Sequence, residues 1–248
     1  MAPRILSFIG AKGGTLKTAS VAAVAHVIAK AGLRVAMVDG DPQADLTSRS
    51  GFSRVADPLA ADPVRVQYEG EPPLDLWLLR SGRSLEGADL DAVRRHLLRA
   101  AGLDVDLVVV DTPPALGPIT TATLRASDLI IIPAMPGKES LERANDVITL
   151  ARQQPDPPPI RILVTLAHLQ SNLFRWMQEQ LDDLYPEARI ASVVPYEMPA
   201  GEAALFEVPV TVSSPRSRSS ATYCDVAAEV LVRLDLADGS PRAARGVA

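Results

Sequence analysis

Residues 10–18 read Gly-Ala-Lys-Gly-Gly-Thr-Leu-Lys-Thr and lie between an apolar run at 5–9 and an alanine-rich stretch at 19–31. A short apolar run that ends at glycine is typical of a buried strand, and the alanine-rich stretch is long enough for a helix. A glycine-containing turn at the start of a helix points backbone N–H groups towards a bound anion. The sequence therefore predicts a strand, a phosphate-binding loop and a helix, in that order.

This loop does not follow the common pattern G-x-x-x-x-G-K-[ST], because the two glycines would fall on Ala11 and Leu16. It follows K-G-G-x-x-K-T instead, with a second lysine at Lys12. In such a loop Lys17 can reach the outer phosphates of a nucleotide, and the Thr18 hydroxyl can bind Mg²⁺. A chance glycine turn is the alternative for the Lys-Gly-Gly part alone, and the placement of Lys17 and Thr18 before a helix argues against it.

Acidic residues follow two further buried runs. The run at 35–38 leads into Asp-Gly-Asp-Pro-Gln at 39–43, and the run at 107–110 leads into Asp-Thr-Pro-Pro at 111–114. Ligands bind at the carboxyl ends of strands in open α/β sheets, and an aspartate there is the usual metal-side carboxylate of phosphate-loop enzymes. Asp111 is therefore a candidate for the metal side of the site. Asp39 is a second candidate, although it can equally cap a turn or a helix.

Strands and helices alternate along the whole chain. We predict strands at 5–9, 35–38, 74–79, 107–110, 129–132, 162–165 and 190–194, and helices at 19–31, 90–101, 141–151, 173–184 and 221–234. Residues 51–73 are rich in proline, aspartate and glycine and predict a long loop. Buried runs without period-two alternation are typical of a parallel sheet covered on both faces. The prediction is one α/β domain of the P-loop NTPase fold over 1–236, with a mostly parallel twisted sheet, helices on both faces and a disordered tail over 237–248.

The composition excludes several other classes of protein. The chain has 248 residues, of which 47% are hydrophobic, so it can form a sizeable core. Its single cysteine, Cys224, excludes a disulfide framework and a cluster held by cysteines of one chain, and we expect it to be a small packed residue of the last helix. No run reaches the ~18 apolar residues of a membrane span and no signal pattern begins the chain, which predicts a cytoplasmic protein. With a net charge of −5, nucleic-acid binding needs a local basic patch.

The motifs K-G-G-x-x-K-T at 12–18, D-x-D-P-Q at 39–43 and D-T-P-P at 111–114 together resemble the ParA/MinD family of deviant Walker-A P-loop ATPases. The match looks closest to the ParA partition branch, and it extends over roughly residues 4–235. Leu16 departs from the pattern, since it replaces the glycine that normally precedes the loop lysine. The resemblance implies ATP and Mg²⁺ as ligands and a homodimer when ATP is bound.

The resemblance also implies roles for particular residues. Lys17 is expected to bind the β- and γ-phosphates, Asp41 to act on the attacking water, and Lys12 to reach across a dimer interface to the partner's nucleotide. Thr18, Asp39 and Asp111 are expected on the Mg²⁺ side. The nucleotide contacts implied are Gly13, Gly14, Thr15, Leu16, Lys17, Thr18, Ala19 and, on the adenine, Pro195 and Tyr196.

Members of the partition branch bind DNA without sequence preference, and phosphate neutralisation by arginine and lysine is the physical basis of such binding. The best candidates for this patch are Arg216 and Arg218, for which a solvated loop before the last helix is the alternative. The resemblance further implies a ParB-like centromere-binding partner that stimulates hydrolysis, and a nucleoid-associated location. The residues after 236 lack the apolar face that a membrane-binding helix needs, so no membrane contact is expected.

These expectations add up to an ATP-dependent chromosome or plasmid partition protein. Two alternatives stay open at this point. One is a ParA-like ATPase that positions another cargo, and the other is a metabolic ATP-dependent ligase of the same fold. The D-x-D-P-Q motif and Lys12 argue against the ligase.

Overall fold

The structure is a computed structural model that describes residues 2–87, 90–197 and 208–237. The strands are β1 (Arg4–Phe8), β2 (Val35–Asp39), β3 (Val64–Arg65), β4 (Leu76–Leu79), β5 (Leu107–Asp111), β6 (Leu129–Ala134), β7 (Ile160–Ala167) and β8 (Arg189–Pro195). The helices are α1 (Lys17–Lys30), α2 (Asp45–Arg49), α3 (Leu90–Ala101), α4 (Pro118–Ala126), α5 (Lys138–Arg152), α6 (Asn172–Leu184), α7 (Val210–Ser213) and α8 (Arg218–Arg233). Short 3₁₀ helices cover Arg83–Gly87 and Pro186–Ala188.

All the described strands form one sheet in the order β3-β4-β2-β5-β1-β6-β7-β8. Every pairing is parallel except that of β3 with β4. β5 lies between β1 and β2, and its last residue, Asp111, is in register with Phe8 on one side and Asp39 on the other. The segments that follow β1, β2 and β5 therefore meet at one edge of the sheet, as strand ends do in open α/β folds.

Helices cover both faces of this sheet. On one face, Leu6 and Phe8 of β1 pack in a cluster with residues of α1 and α8. On the other face, Ile5 packs with residues of α3 and α4, while the neighbouring β6 and β7 pack against α5 and α6. Since the central strands β2 and β5 are buried at every position, their near-continuous apolar sequence is what a doubly covered parallel sheet requires.

This architecture confirms the predicted fold class, and the prediction for α3 matches its observed bounds. The prediction that 51–73 is a loop throughout is wrong, because β3 lies within it and pairs antiparallel with β4. Three α-helices were not predicted, α2, α4 and α7, of five, nine and four residues. Helices this short carry little hydrophobic periodicity, and a two-residue strand such as β3 is defined only by its pairing with a neighbour. Neither kind of element leaves a pattern in the sequence that could have predicted it.

Cys224 is exposed on α8 and not packed, which corrects the prediction from the sequence. Its neighbours Tyr223 and Val226 occupy the buried face of the helix, and Cys224 lies outside that face. The predicted tail, apart from Ala237, lies outside the described residues. Within the ranges described, the structure contains no helix with both the length and the apolar character that crossing a membrane requires.

Candidate nucleotide site

Lys17 begins α1 and is bound to the end of β5. Its Nζ donates to Asp111 Oδ1 at 2.6 Å and to the Thr112 carbonyl oxygen, with only 8% of the side chain exposed. Thr18 Oγ1 donates to the other oxygen of the same carboxylate at 2.7 Å. The loop and the β5 end are thus held together by three hydrogen bonds, and the ammonium lies where a helix N-terminus faces the sheet edge.

The loop geometry accommodates Leu16 in a backbone conformation that usually favours glycine. Leu16 has φ of 59° and precedes the first helical residue, while its carbonyl accepts from the Ser20 N–H. Its side chain packs against the cluster formed by α1 and α8. A non-glycine residue in this region costs about 1–2 kcal/mol, so the packing of Leu16 offsets a strain that glycine would avoid.

Asp39 is fully buried at the end of β2, and its contacts are to the chain itself. Oδ2 accepts from the Thr47 N–H at 2.8 Å and from Thr47 Oγ1 at 2.6 Å, and Oδ1 accepts from the Asp41 N–H. Burial, together with the charge of the neighbouring Asp111, raises the pKa of Asp39 to about 7. Asp39 therefore holds α2 through Thr47, as a cap would, and it also lies beside Asp111, the carboxylate that contacts Thr18. Its place on the Mg²⁺ side stays a prediction.

Asp41 lies two residues further on, at the mouth of the same edge. Its Oδ1 accepts from the Gln43 N–H at 2.9 Å, and the residue is 6% exposed. Burial raises its pKa above the usual range, while Lys17 acts in the opposite direction. A carboxylate with a raised pKa, positioned near a phosphate loop, is suited to accept a hydrogen bond or a proton from water.

Lys12 points away from this buried cluster. Its Nζ forms a 2.8 Å ion pair with Glu139 Oε2, at the start of α5, and the two side chains are 28% and 65% exposed. The hydrogen bond from Lys12 holds the pKa of Glu139 below its usual value. The two lysines of the loop therefore occupy different environments, one buried against the sheet and one at the surface.

A cavity of about 270 Å³ runs along the loop. Residues 12–19 line one part of it, and Asp41, Asp45, Arg49, Val210 and Tyr223 line other parts. The hydroxyl oxygen of Thr15 is buried at this site without a hydrogen-bond partner among the described residues. An unpaired polar atom in the wall of a cavity indicates that a polar ligand completes the site.

The structure does not bring Pro195 and Tyr196 into the lining of this cavity. Pro195 ends β8, and the half-exposed ring of Tyr196 packs on His168 with the ring centroids 4.4 Å apart. Their predicted contacts with adenine stay a prediction, and residues 198 and 199 of the same predicted segment lie outside the described residues. Val208, Pro209 and Val210 line the cavity instead, together with Tyr223.

Arg216 and Arg218 are both exposed and lie directly before and at the start of α8. Glu197 accepts from the Ser219 N–H and Oγ, which places a carboxylate at this helix N-terminus. Its other oxygen is 4.0 Å from Arg218 Nε. Both arginines are therefore accessible to solvent, and Arg218 is partly compensated by Glu197. Their role in DNA binding stays a prediction.

The residues at the sheet edge fit a magnesium ion that is held jointly with phosphate. The Thr18 hydroxyl and the Asp111 carboxylate are oxygen donors of the type Mg²⁺ prefers, and they lie beside the loop. In the part of the chain that the structure describes, no group of three or more His, Cys, Asp and Glu side chains could hold a metal alone. This is the ordinary arrangement for Mg²⁺, which takes few protein ligands and several from phosphate and water.

Comparison with protein families identifies the domain that carries this site. The model of the CobQ/CobB/MinD/ParA nucleotide-binding domain matches residues 6–210. The chain belongs to this family.

The proteins that resemble this chain include a chromosome-partitioning ATPase. The sporulation initiation inhibitor protein Soj of Bacillus subtilis is 26% identical, over 92% of this chain and 98% of its own length. The chromosome-partitioning ATPase Soj of Thermus thermophilus is 28% identical, over 93% and 96%. The septum site-determining protein MinD of Pyrococcus horikoshii, solved with Mg-ADP, superposes with a TM-score of 0.78 at 19% identity, over 92% and 96% of the two chains. The family and fold that the motifs indicated are thereby confirmed.

Several residues of this ParA/MinD-type site were not found from the sequence. Glu139 pairs with a lysine 127 positions earlier, and no local pattern signals such a contact. Thr47 holds Asp39 from within a helix that was itself not predicted. Arg49 lines the cavity from the same helix, and its spacing of four residues from Asp45 was the only local signal available.

Proposed function

We propose that this chain is an ATP-dependent chromosome or plasmid partition protein that dimerises on ATP and binds DNA non-specifically. The observation that carries the proposal is the contrast within one loop. Lys17 is committed to the buried phosphate site, while Lys12 is at the surface and, among the described residues, is held only by Glu139. A lysine so placed can change partners without disturbing the loop, which is what a contact with a second subunit requires. The similarity to the chromosome-partitioning ATPase Soj of Thermus thermophilus supports the same function.

The ligand of the cavity is ATP with Mg²⁺. Lys17 and the loop N–H groups bind the phosphates, and Thr18 with Asp111 holds the ion, which when bound neutralises charge on the phosphate oxygens. When phosphates arrive, Lys17 exchanges part of its contact with Asp111 for them. Asp41 orients the attacking water, since its raised pKa and its position at the mouth of the site suit a hydrogen-bond acceptor there.

Lys12 completes the site of a second subunit. Its ammonium stabilises negative charge on the γ-phosphoryl oxygens across the interface, in the manner of an arginine finger. Because the ion pair with Glu139 is exposed, it contributes little stability and is readily exchanged. Turnover by one subunit alone is therefore slow, and a ParB-like partner accelerates hydrolysis in the dimer.

DNA binds through the surface that carries Arg216 and Arg218. Each subunit alone offers two arginines on a chain of net charge −5, so binding is weak until dimerisation doubles the patch. Hydrolysis removes the Lys12 contact, separates the subunits and releases the DNA. Association with the nucleoid follows from this cycle.

The test is binding of a non-specific duplex with ATP, ADP or no nucleotide, at two salt concentrations. The expected result is binding only with ATP, weakened by salt and lost in Lys12→Ala. The double variant Arg216→Ala, Arg218→Ala should lose most of the affinity and flatten the logarithmic salt slope by about 3 to 4, because four phosphate contacts are removed per dimer.

The matched control is Arg94→Ala, Arg95→Ala, which removes an exposed arginine pair on α3, on the opposite face of the sheet. It should leave DNA binding unchanged. Tight ATP binding without DNA binding under any condition would contradict partition. ATP turnover that then appears only with a small-molecule acid or amine would identify a metabolic ligase instead.

A further inference from the structure

Three cationic side chains line the cavity along the loop: Lys12, Lys17 and Arg49. Two of them are already paired within the chain, Lys17 with Asp111 and Lys12 with Glu139. The Arg49 side chain forms no hydrogen bond or ion pair with any residue that the structure describes. It is the lining cation whose charge is left uncompensated there.

Arg49 is the last residue of α2, and this helix is fastened to the end of β2. Asp39 accepts from the backbone and the hydroxyl of Thr47, and the Thr47 hydroxyl oxygen in turn accepts from the Ser81 N–H at 3.0 Å. Leu46 is completely buried in the core. The backbone that carries Arg49 is therefore held in place, and its side chain extends from a rigid wall of the cavity.

Arg49 does not pair with Asp45, the carboxylate nearest to it on the same helix. Asp45 lies four residues earlier on α2, a spacing that permits an ion pair, and it lines the same cavity. The structure nevertheless has no ion pair between these two residues. Arg49 is partly buried as a residue, and its guanidinium has no acceptor among the described residues.

A solvated surface arginine is the alternative, and Arg54 shows what that looks like in the same region. Arg54 is exposed and does not line the cavity. Arg49 differs from it in burial and in facing the loop that binds phosphate. A planar guanidinium with several donors pairs best with a carboxylate or a phosphate, and the ligand expected in this cavity carries a chain of phosphates.

We infer that Arg49 is a phosphate-contacting residue, whose guanidinium binds the phosphate chain of the nucleotide from the α2 side of the cavity. The inference rests on the proposed binding of ATP in this cavity. It adds a contact from α2 to that of Lys17 at the start of α1. It also links α2 to the presence of phosphate and, through Thr47, the segment that carries Asp39 and Asp41. None of the sequence motifs contains this residue.

The test measures equilibrium binding of a fluorescent ATP analogue, displaced by ATP or by inorganic tripolyphosphate, for Arg49→Ala, Arg49→Lys and Arg54→Ala. All variants carry Lys12→Ala, so that dimerisation does not add to the affinity. Arg49→Ala should weaken ATP and tripolyphosphate by the same factor, about ten-fold to a hundred-fold, because a charge-assisted contact is lost. Arg49→Lys should recover part of the loss, and Arg54→Ala should bind like the parent.

Two results overturn the inference. One is ATP affinity within two-fold of the parent in Arg49→Ala, and the other is a loss for ATP with tripolyphosphate unchanged, which places the contact on the nucleoside. The thermal unfolding midpoint of Arg49→Ala should match that of the parent, since the side chain has no described partner to lose. These readouts are independent of DNA, so a protein that binds ATP but not DNA leaves this inference standing while partition fails.

Discussion

Lys17 and Lys12 belong to the same loop, yet the regions around them are built on different principles. Lys17 is enclosed by groups of its own sheet edge, with Asp111, Thr112 and Thr18 forming a closed set of hydrogen bonds. In the part of the chain that the structure describes, Lys12 has one partner, Glu139, and both side chains are in contact with solvent. The first region is complete within one chain, whereas the second is held by an interaction that water and salt weaken.

The two ion pairs differ in how much free energy it costs to break them. A buried cation–carboxylate pair cannot be broken cheaply, because the remaining charge is left without solvent. An exposed pair can be exchanged for another at little cost. A loop that carries one lysine of each kind can keep its phosphate site intact while its second lysine changes partner.

The largest effect is expected for Lys17→Ala. This change leaves the Asp111 carboxylate, which is completely buried and adjacent to Asp39, without its cation. The free energy of unfolding should fall by about 3–5 kcal/mol at pH 7, besides the loss of nucleotide binding. Urea denaturation measures it, and a loss below about 1 kcal/mol would remove the distinction drawn between the two lysines.

The next effect is a pH dependence from His96, which is buried behind the end of β2. Its ring lies beside the backbone of Asp39 and Pro58 without hydrogen-bond geometry at either nitrogen, and burial, reinforced by the charge of Arg99, lowers its pKa to about 4. Below pH 6.5 the unfolded chain takes up a proton that the folded ring does not, so stability falls as the pH drops from about 6.5 to 4. The contribution lost is about 2–3 kcal/mol.

Urea denaturation at pH 7, 5.5 and 4.5 tests the His96 effect, with His96→Leu and, as a control, His168→Gln at an exposed histidine. The stability of His96→Leu should depend less steeply on pH than that of the parent, and His168→Gln should follow the parent. If stability fell equally steeply with pH in the parent and in both variants, burial of His96 would not be what opposes its protonation.

A smaller effect is expected for Leu16→Ile, which keeps the side-chain volume but adds a branch at Cβ. A β-branched residue is poorly tolerated at the φ of 59° found at position 16, so the free energy of unfolding should fall by about 1–2 kcal/mol. Leu16→Gly relieves the strain but loses packing, and should stay within about 1 kcal/mol of the parent. If the isoleucine variant is as stable as the parent, the loop is not held as tightly as its contacts indicate.

The smallest effect on stability is expected for the exposed ion pair between Lys12 and Glu139. Lys12→Ala and Glu139→Gln each remove an exposed ion pair, and the thermal unfolding midpoint should stay within about 2 °C of the parent. A clearly larger decrease for either variant, measured by differential scanning calorimetry, would show that Lys12 is not free to change partner.

The order of elements could be read from the sequence because it is written in local patterns. The apolar runs before Gly10, Asp39 and Asp111 predicted three strands, and the structure adds that these strands lie side by side. The roles assigned to the site residues stay predictions. The contacts of Asp39 could not be predicted, because a turn cap and a metal-side carboxylate look alike in sequence. The exposure of Cys224 could not be predicted either, because the exposed side of a helix depends on what the helix packs against.

The sequence by itself determined the family, the phosphate loop and the parallel sheet, because strand and helix periodicity and a short motif are properties of neighbouring residues. Only the tertiary structure decided which charges are paired. Lys17 meets Asp111 94 positions away, Lys12 meets Glu139 127 positions away, and Arg49 meets no described partner at all. Pairing of charges depends on distance and burial in the folded chain, and neither quantity exists until the sheet has brought its strand ends together.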